Sequence, residues 1–538
     1  KLLVESPQIR LAEIAEIKAP ELSSAALKEL KNLTFKSSAL KTAIIPEVLG
    51  GSITGNIRTE RYFSDVNRSF RYVSSPVNST DNIRANWQEG VNNLGTNYPT
   101  DNENPNSGYG THITGSTSGA NGFDATLTGN PSMFTWNNIT QEWSAIPNTN
   151  ATNLEAGKAY ALMVRGDRST NLNSNEAQGG ATILRNFGGP EIGTFTIQSS
   201  TMPTAAEEFA LIGNPYQAQV DVKTINTTGL NTNFMYIWDP NIGATGGYTT
   251  IDLTENPVLT TPASNANERL QPGQAFFMET SAATSSITFE ESHKTEDITN
   301  VETFSISNTS EIYIRLAEEN SPSIIDATRI VFGQNYTDEV SFEDAKKLWN
   351  NAEYIAIKKP NNWLAIEKKP LVENDTIQLF TGNYQLEDYQ LTINLSNLET
   401  QQIHLKDAYL NEMYEVENDE VYTHNFSVDA SIPESISTER FQLILEEIPL
   451  SSIAEIQKQI KIYPNPVVNE EVWVQHHFQN GEHIHVTIYD VLGRALMPKQ
   501  KEVNSNSFKI DLSSFSTGIF ILQISSEKTV FNYQLIKE

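Results

Sequence analysis

The stretch Ile510-Asp511-Leu512-Ser513-Ser514-Phe515-Ser516-Thr517-Gly518-Ile519-Phe520-Ile521-Leu522-Gln523-Ile524 sets the reading of this chain. Gly518 permits a tight turn, and the run from Ile519 to Ile524 is apolar enough for a strand covered on both faces. Upstream, Ile462-Tyr463-Pro464-Asn465-Pro466-Val467 carries two prolines, which fix φ and remove N–H donors, so it reads as a stiff, non-pairing lead-in to a first strand. Between these blocks, Ile488, Tyr489 and Val491 supply a strand that Leu492-Gly493 reverses, and Asn480-Gly481 marks another hairpin. Residues 461–538 are therefore expected to form a small seven-strand sandwich.

These blocks, in this order at the end of the chain, resemble the type A C-terminal sorting domain of the type IX secretion system of Bacteroidota. The carriers of the resemblance are Tyr463, Pro464, Asn465, Pro466, the run Val486 to Arg494 with Gly493, then Leu512, Gly518, and the closing Tyr533 to Glu538 with Lys537. The resemblance implies an immunoglobulin-like sandwich, recognised already folded by the outer-membrane translocon and its shuttle protein. It also implies a sortase-like peptidase that cuts before the domain, within residues 449–460, and joins the cargo to an anionic lipopolysaccharide. Recognition is expected at the terminal strand, taken as a sheet edge with unpaired backbone groups, and at an exposed loop. Removing Tyr533–Glu538 is expected to hold the protein inside the envelope.

Composition agrees with an all-β chain. Its 538 residues suffice for several cores, and Thr, Asn, Ser and Gly favour short strands with many turns. With 66 acidic against 37 basic side chains the net charge is −29, so nucleic acid and anionic lipid are poor partners. The lack of cysteine excludes disulfides and thiolate chemistry. No window reaches the ~20 apolar residues of a membrane-spanning helix. The chain begins with Lys1 and lacks a leader pattern, so it reads as a piece whose export signal lay upstream.

Working towards the N-terminus, residues 449–460 read as a linker. Residues 301–448 read as a β-rich module interrupted by one short helix, in which Ser341 caps Phe342 to Asn351 with acids early and lysines late. Residues 34–298 read as a β-sandwich surface module with an internal repeat, in units of about 50–200 and 201–298. Phe70 to Val77 matches Phe209 to Tyr216, Met133 to Asn137 matches Met235 to Asp239, and Leu154 to Tyr160 matches Leu270 to Phe276. Residues 1–33 read as a helical connector. The fold class is thus all-β, with multidomain β-sandwiches, a C-terminal immunoglobulin-like domain and a short N-terminal helical connector. Gly50 to Asn56, Gly108 to Gly115 and 326–353 also resemble modules found ahead of such sorting domains in large surface proteins.

Other signals have plain structural readings beside them. Arg165-Gly166-Asp167 spells an integrin-binding tripeptide but follows a strand, which suits a turn. Trp136 and Trp238 are core aromatics that double as candidate glycan-stacking platforms. Asp375-Thr376-Ile377 fits a Bacteroidota O-glycosylation pattern at Thr376. His476, His477, His483 and His485 flank a turn and read as strand histidines ahead of a metal site. Asp101 to Asn104 and Asp239 to Asn241 offer oxygens to Ca2+ without EF-hand spacing, so no cofactor is assigned. No catalytic residue emerges: the G-x-S-x-G, HExxH and phosphate-loop patterns are missing. The expectation is a secreted, outer-membrane-associated adhesin or stalk that is not an enzyme. The rival is an accessory region, binding surface glycans, of a hydrolase whose catalytic domain lies upstream.

Overall fold

Alternating apolar residues such as Ile312, Ile314 and Leu316 put one side of each strand into a core, and the backbone then pairs in antiparallel ladders. The computed structural model describes residues 33–49, 53, 55–64, 68–94, 103–172, 179–295, 310–372, 374–398, 401–416, 421–447, 461–468, 470–475, 485–490, 494–500, 507–525 and 530–537. The chain is predominantly β, with one near-closed barrel and one half-barrel among its sheets. Among the described residues the α-helical stretch is Ile83–Trp87, capped by Asn82, whose side chain accepts from the Ala85 amide. No helix among them is long and apolar enough to cross a membrane. The expected connector at 1–33 lies outside the described residues apart from Leu33, as do the linker at 449–460 and the Asn480-Gly481 turn.

Two sheets in the first half share one strand plan. In the first, Ser69–Ser74 pairs with Ala159–Val164, which pairs with Met133–Asn137, whose hairpin partner is Glu142–Ala145. In the second, Phe209–Gly213 pairs with Ala275–Glu279, which pairs with Phe234–Asp239, whose hairpin partner is Gly247–Asp252. The three pairs of matching segments noted in the sequence occupy equivalent places in these sheets. An aromatic layer fills the space between them: Tyr72 and Ala161 from one sheet pack with Leu211, Tyr236, Trp238 and Phe277 from the other.

Residues 310–447 form the longest sheet. It runs from Glu412–Val416 through Gln401–Asp407, Phe441–Glu447, Asp375–Gly382, Tyr354–Lys359, Asn362–Lys369, Ile324–Phe332, Ser310–Glu318 and Asp388–Ser396 to Tyr422–Ser427. One core cluster draws on nearly all of these strands, and the rings of Tyr414 and His424, from the two end strands, sit 4.6 Å apart. That contact brings together the two end strands of the near-closed barrel. Arg440 lies inside, its guanidinium on the Asp407 carboxylate at 2.7 Å with both side chains buried.

The helix expected over Phe342–Asn351 does not form. Ser341 and Asp344 make a turn, and Ala345–Lys346 joins the sheet beside Asn362–Lys369. The helical pattern loses because the open side of Asn362–Lys369 offers ladder bonds, a slot for the fully buried Ala345, and the Asp326 carboxylate for Lys347 at 2.6 Å.

The barrel is welded to the sheets before it. Lys368 Nζ reaches Asp252 Oδ2 at 2.6 Å with both side chains nearly inaccessible, and also donates to Thr254 Oγ1 at 2.7 Å. Arg329 pairs with Glu311 at 2.7 Å and donates to Thr261 Oγ1 at 3.0 Å. The Tyr248 amide donates to Asn350 Oδ1 at 2.8 Å.

Candidate functional site

The terminal domain is held by the residues that made its motif legible. Pro464 and Pro466 leave no N–H to pair, so Asn465 between them is free to use its side chain. Its amide donates to Gln534 O at 2.6 Å and accepts from the Ile536 amide at 2.9 Å, standing in for one residue of a strand. Val467 then pairs in parallel with Lys537. Lys537 is buried to 9% exposure, and its ammonium donates to the carbonyls of Leu512 at 2.8 Å and Phe515 at 2.6 Å. Leu512 is fully buried, and Gly518, opposite Lys537 in the ladder, adopts a φ of +153° that side-chain-bearing residues rarely tolerate. Gly493 lies outside the described residues. Tyr463 is exposed and faces the exposed Trp473 across the ladder.

The terminal strand takes an inner place in the strand order, where the sequence reading has an edge, through one bridge at its end. Val530–Lys537 lies between Gly518–Ser525 and Lys461–Val468, and the edges are Ala495–Gln500 and Ser507–Asp511. The Asn465 clamp and the single Val467–Lys537 pair cover the C-terminal end of the terminal strand's flank, Gln534 to Lys537. What the terminal strands do present is side chains: Ile519, Ile521 and Ile536 point outwards and are exposed, Ile519 sits opposite Ile536, and Tyr489 sits opposite Ile521. Phe520, Leu522 and Ile524 take the inward positions.

A second site lies where the two repeat sheets meet the barrel. Phe70, Tyr72, Phe134, Trp143, Trp238, Tyr248 and Trp349 wall a cleft of about 270 Å³. Trp143 and Trp349 form its rim, 37% and 40% exposed. Tyr72 stands at the centre, its ring 5.7 Å from Trp143, 5.9 Å from Tyr248 and 6.1 Å from Trp238. The Tyr72 and Tyr248 hydroxyls share a hydrogen bond, and burial pushes Tyr248 up to about 12, so both phenols stay neutral. Of the two tryptophans singled out in the sequence, Trp238 lines the cleft, with its indole N–H on Ser69 Oγ at 3.3 Å. Trp136 does not: it packs behind Trp143 at 5.2 Å and donates to Phe209 O at 3.0 Å. Sequence reading missed Trp143 and Trp349; the first falls between matched blocks, and the second lay in the expected helix.

The remaining signals resolve individually. Asp167 of the Arg-Gly-Asp tripeptide is buried and accepts from the Gly108 amide at 2.7 Å and the Ser169 amide at 2.9 Å, as a turn residue does. Thr376 is exposed on its strand, while Asp375 holds Lys369 at 2.6 Å. His476, His477 and His483 lie outside the described residues, and His485 begins a strand. Asp101 and Asn102 also lie outside; Asp239 caps the Asn241 amide at 2.8 Å. Among the described residues no three His, Cys, Asp or Glu side chains gather as metal ligands.

Comparisons with known proteins bear on both sites. Residues 461–538 match the family model described as "Secretion system C-terminal sorting domain". Residues 113–444, more than half of the chain, match the model described as "Domain of unknown function (DUF8693)". No curated protein matches. Among solved structures, the Beta-glucuronidase of Faecalibacterium prausnitzii aligns at 10% identity and a TM-score of 0.13, over 44% of this chain and 47% of that one. The chain thus spans about half the length of that enzyme. The sorting domain addresses the protein to the type IX secretion translocon, and its place is the cell surface, associated with the outer membrane, as in Bacteroidota. The chain belongs to the family described as "Domain of unknown function (DUF8693)" and ends in a secretion system C-terminal sorting domain.

Proposed function

We propose that the exported chain is a non-catalytic adhesin, or the stalk of one, whose aromatic cleft stacks on surface glycans. The cleft carries this reading. Sugar rings present C–H faces to aromatic planes, and Trp143 and Trp349 offer such planes to solvent at a junction fixed by buried ion pairs. The full chain is expected to bind neutral glycans on an array, with the signal lost in Trp143→Ala and Trp349→Ala and weakened in Trp238→Ala. Unchanged array profiles in both rim variants would remove the cleft from the reading. The rival, an accessory region of a hydrolase, predicts a catalytic domain upstream in the full reading frame, whereas tandem β repeats there favour the adhesin.

For export, the outward face of Ile519, Ile521 and Ile536 is the surface that the translocon and shuttle read. The edge Ala495–Gln500 is a second candidate. Ile519→Asp with Ile521→Asp changes only outward positions, so it is expected to block display while leaving the domain folded. Normal display of that variant would exclude this face. The core shared by Val472, Val474 and Ile510 with Ile488, Leu522 and Leu535 supports two facing layers, the immunoglobulin-like sandwich. The equivalent strand plans support two related units within 34–298, followed by the module 301–448. Cleavage by a sortase-like peptidase within 449–460, joining to lipopolysaccharide, and a sugar on the exposed Thr376 complete the proposal.

A further inference from the structure

A second cavity, of about 340 Å³, opens beside strand Ile57–Phe63 and the loop that precedes Arg269–Leu270. Arg61 and Arg269 line it with the amides of Asn241, Asn265, Gln271 and Gln274, and among the described residues no aspartate or glutamate does. Arg61 donates through Nη1 to Pro272 O at 2.8 Å and lies 5.9 Å from the Phe63 ring; no carboxylate among the described residues pairs with it. Two fully buried arginines, by contrast, sit on carboxylates: Arg168 holds Asp124 at 2.8 Å and Arg440 holds Asp407 at 2.7 Å. Burial without an acidic neighbour pushes the Arg61 guanidinium down to about 10. In a chain with 66 acids and 37 bases, a guanidinium in a cavity that no described carboxylate lines is a receptor held ready for an external anion.

We propose that this cavity binds a hexuronic acid unit of an acidic polysaccharide, with the sugar carboxylate on Arg61 and its hydroxyls on the surrounding amides. A carboxylate matches the guanidinium fork in a bidentate manner. Amide side chains both donate and accept, which is what a ring of hydroxyls requires. The volume is at the low end for ligand sites and suits one sugar ring. The net charge of −29 opposes densely charged polyanions but tolerates one charge per ring. This cavity shares no lining residue with the aromatic cleft, so the two readings stand or fall separately.

The test is calorimetric titration of the full chain with galacturonic acid and with galactose, which differ only by a carboxylate in place of a hydroxymethyl group. Galacturonate is expected to bind at least about tenfold more tightly than galactose, with an affinity that falls as salt is added. Arg61→Gln, which can still donate to Pro272 O, is expected to lose about tenfold or more for galacturonate with an unchanged melting temperature. Trp143→Ala is expected to bind galacturonate as the parent does. Equal affinity for the two sugars overturns the proposal without any variant. So does no detectable heat with galacturonate, or undiminished binding by folded Arg61→Gln. Displacement of galacturonate by an equal concentration of inorganic phosphate would overturn the sugar assignment.

Discussion

Replacing Lys537 by methionine removes an ammonium while keeping an unbranched stem of similar length. It leaves the carbonyls of Leu512 and Phe515, which Lys537 serves at 2.8 and 2.6 Å, without that donor. A hydrogen bond to a charged group contributes ~1.5–3 kcal/mol. The bond to Phe515 O is only partly buried, and Glu470 stands 3.8 Å away in solvent, so a net cost of about 2–4 kcal/mol is expected. A 78-residue domain holds on the order of 4–12 kcal/mol in all, so a single penultimate side chain carries a large fraction of it. At about 1.4 kcal/mol per tenfold, the open population of the domain rises roughly 30- to 700-fold. Hydrogen exchange of the full chain reads this directly: peptides from Gly518–Ser525 and Val530–Lys537 are expected to lose protection by that factor, while Ser310–Glu318 in the barrel stays unchanged. Protection of the terminal strands within about threefold of the parent would refute the assignment of Lys537 as a buried clamp.

Asn465→Ala removes the two bonds to Gln534 O and the Ile536 amide, and is expected to cost about 1–2 kcal/mol in thermal melts of the sorting domain; a shift under about 2 °C would contradict the clamp. Lys368→Met strands the Asp252 carboxylate in the weld between barrel and sheets and is expected to cost about 3–5 kcal/mol. Adding Asp252→Asn should restore part of that in a double-mutant cycle in urea, and strict additivity would show the pair to be uncoupled. Burial raises Asp344 to about 6, from 3.8, so the folded state favours the neutral acid. Its contribution is present below about pH 4 and lost as pH rises to about 6, up to ~3 kcal/mol. The stability difference between the parent and Asp344→Asn should therefore move against the parent over that interval; a difference flat in pH would contradict it.

The sequence carried the address and the strand content, because both are written in local pattern. Proline pairs, Leu-Gly and Thr-Gly turns, and apolar alternation act over a few residues, and a motif such as Tyr463 to Pro466 can be read without knowing its partners. The recurrence of three aromatic segments was equally legible, since each is a short run compared with another. What could not be read was anything settled by a distant partner. Phe342 to Asn351 has a helical charge pattern, and it lost to a strand slot that exists only once Asn362–Lys369 is in place. The terminal strand reads as an edge in sequence, and the Asn465 side chain, 71 positions from Ile536, closes the end of its open side.

The same division separates the sites. The five tryptophans and tyrosines of the cleft come from both sheets and the barrel, so their convergence is a product of packing at the junction, and Trp136 and Trp143 could be told apart only by which ring faced outwards. Arg61 is one of many arginines in sequence; the fold sets it in a cavity that no described acid lines, whereas Arg168 and Arg440 sit on carboxylates. Residue order alone determined that this chain is β-rich and acidic and ends in a motif resembling a sorting domain, which implies export, because strand content, charge and motif follow from composition and neighbours along the chain. Tertiary structure decided which side chains face solvent, which charges are paired, and where a ligand can be held, because burial and electrostatic pairing depend on residues that approach one another only after the chain has folded.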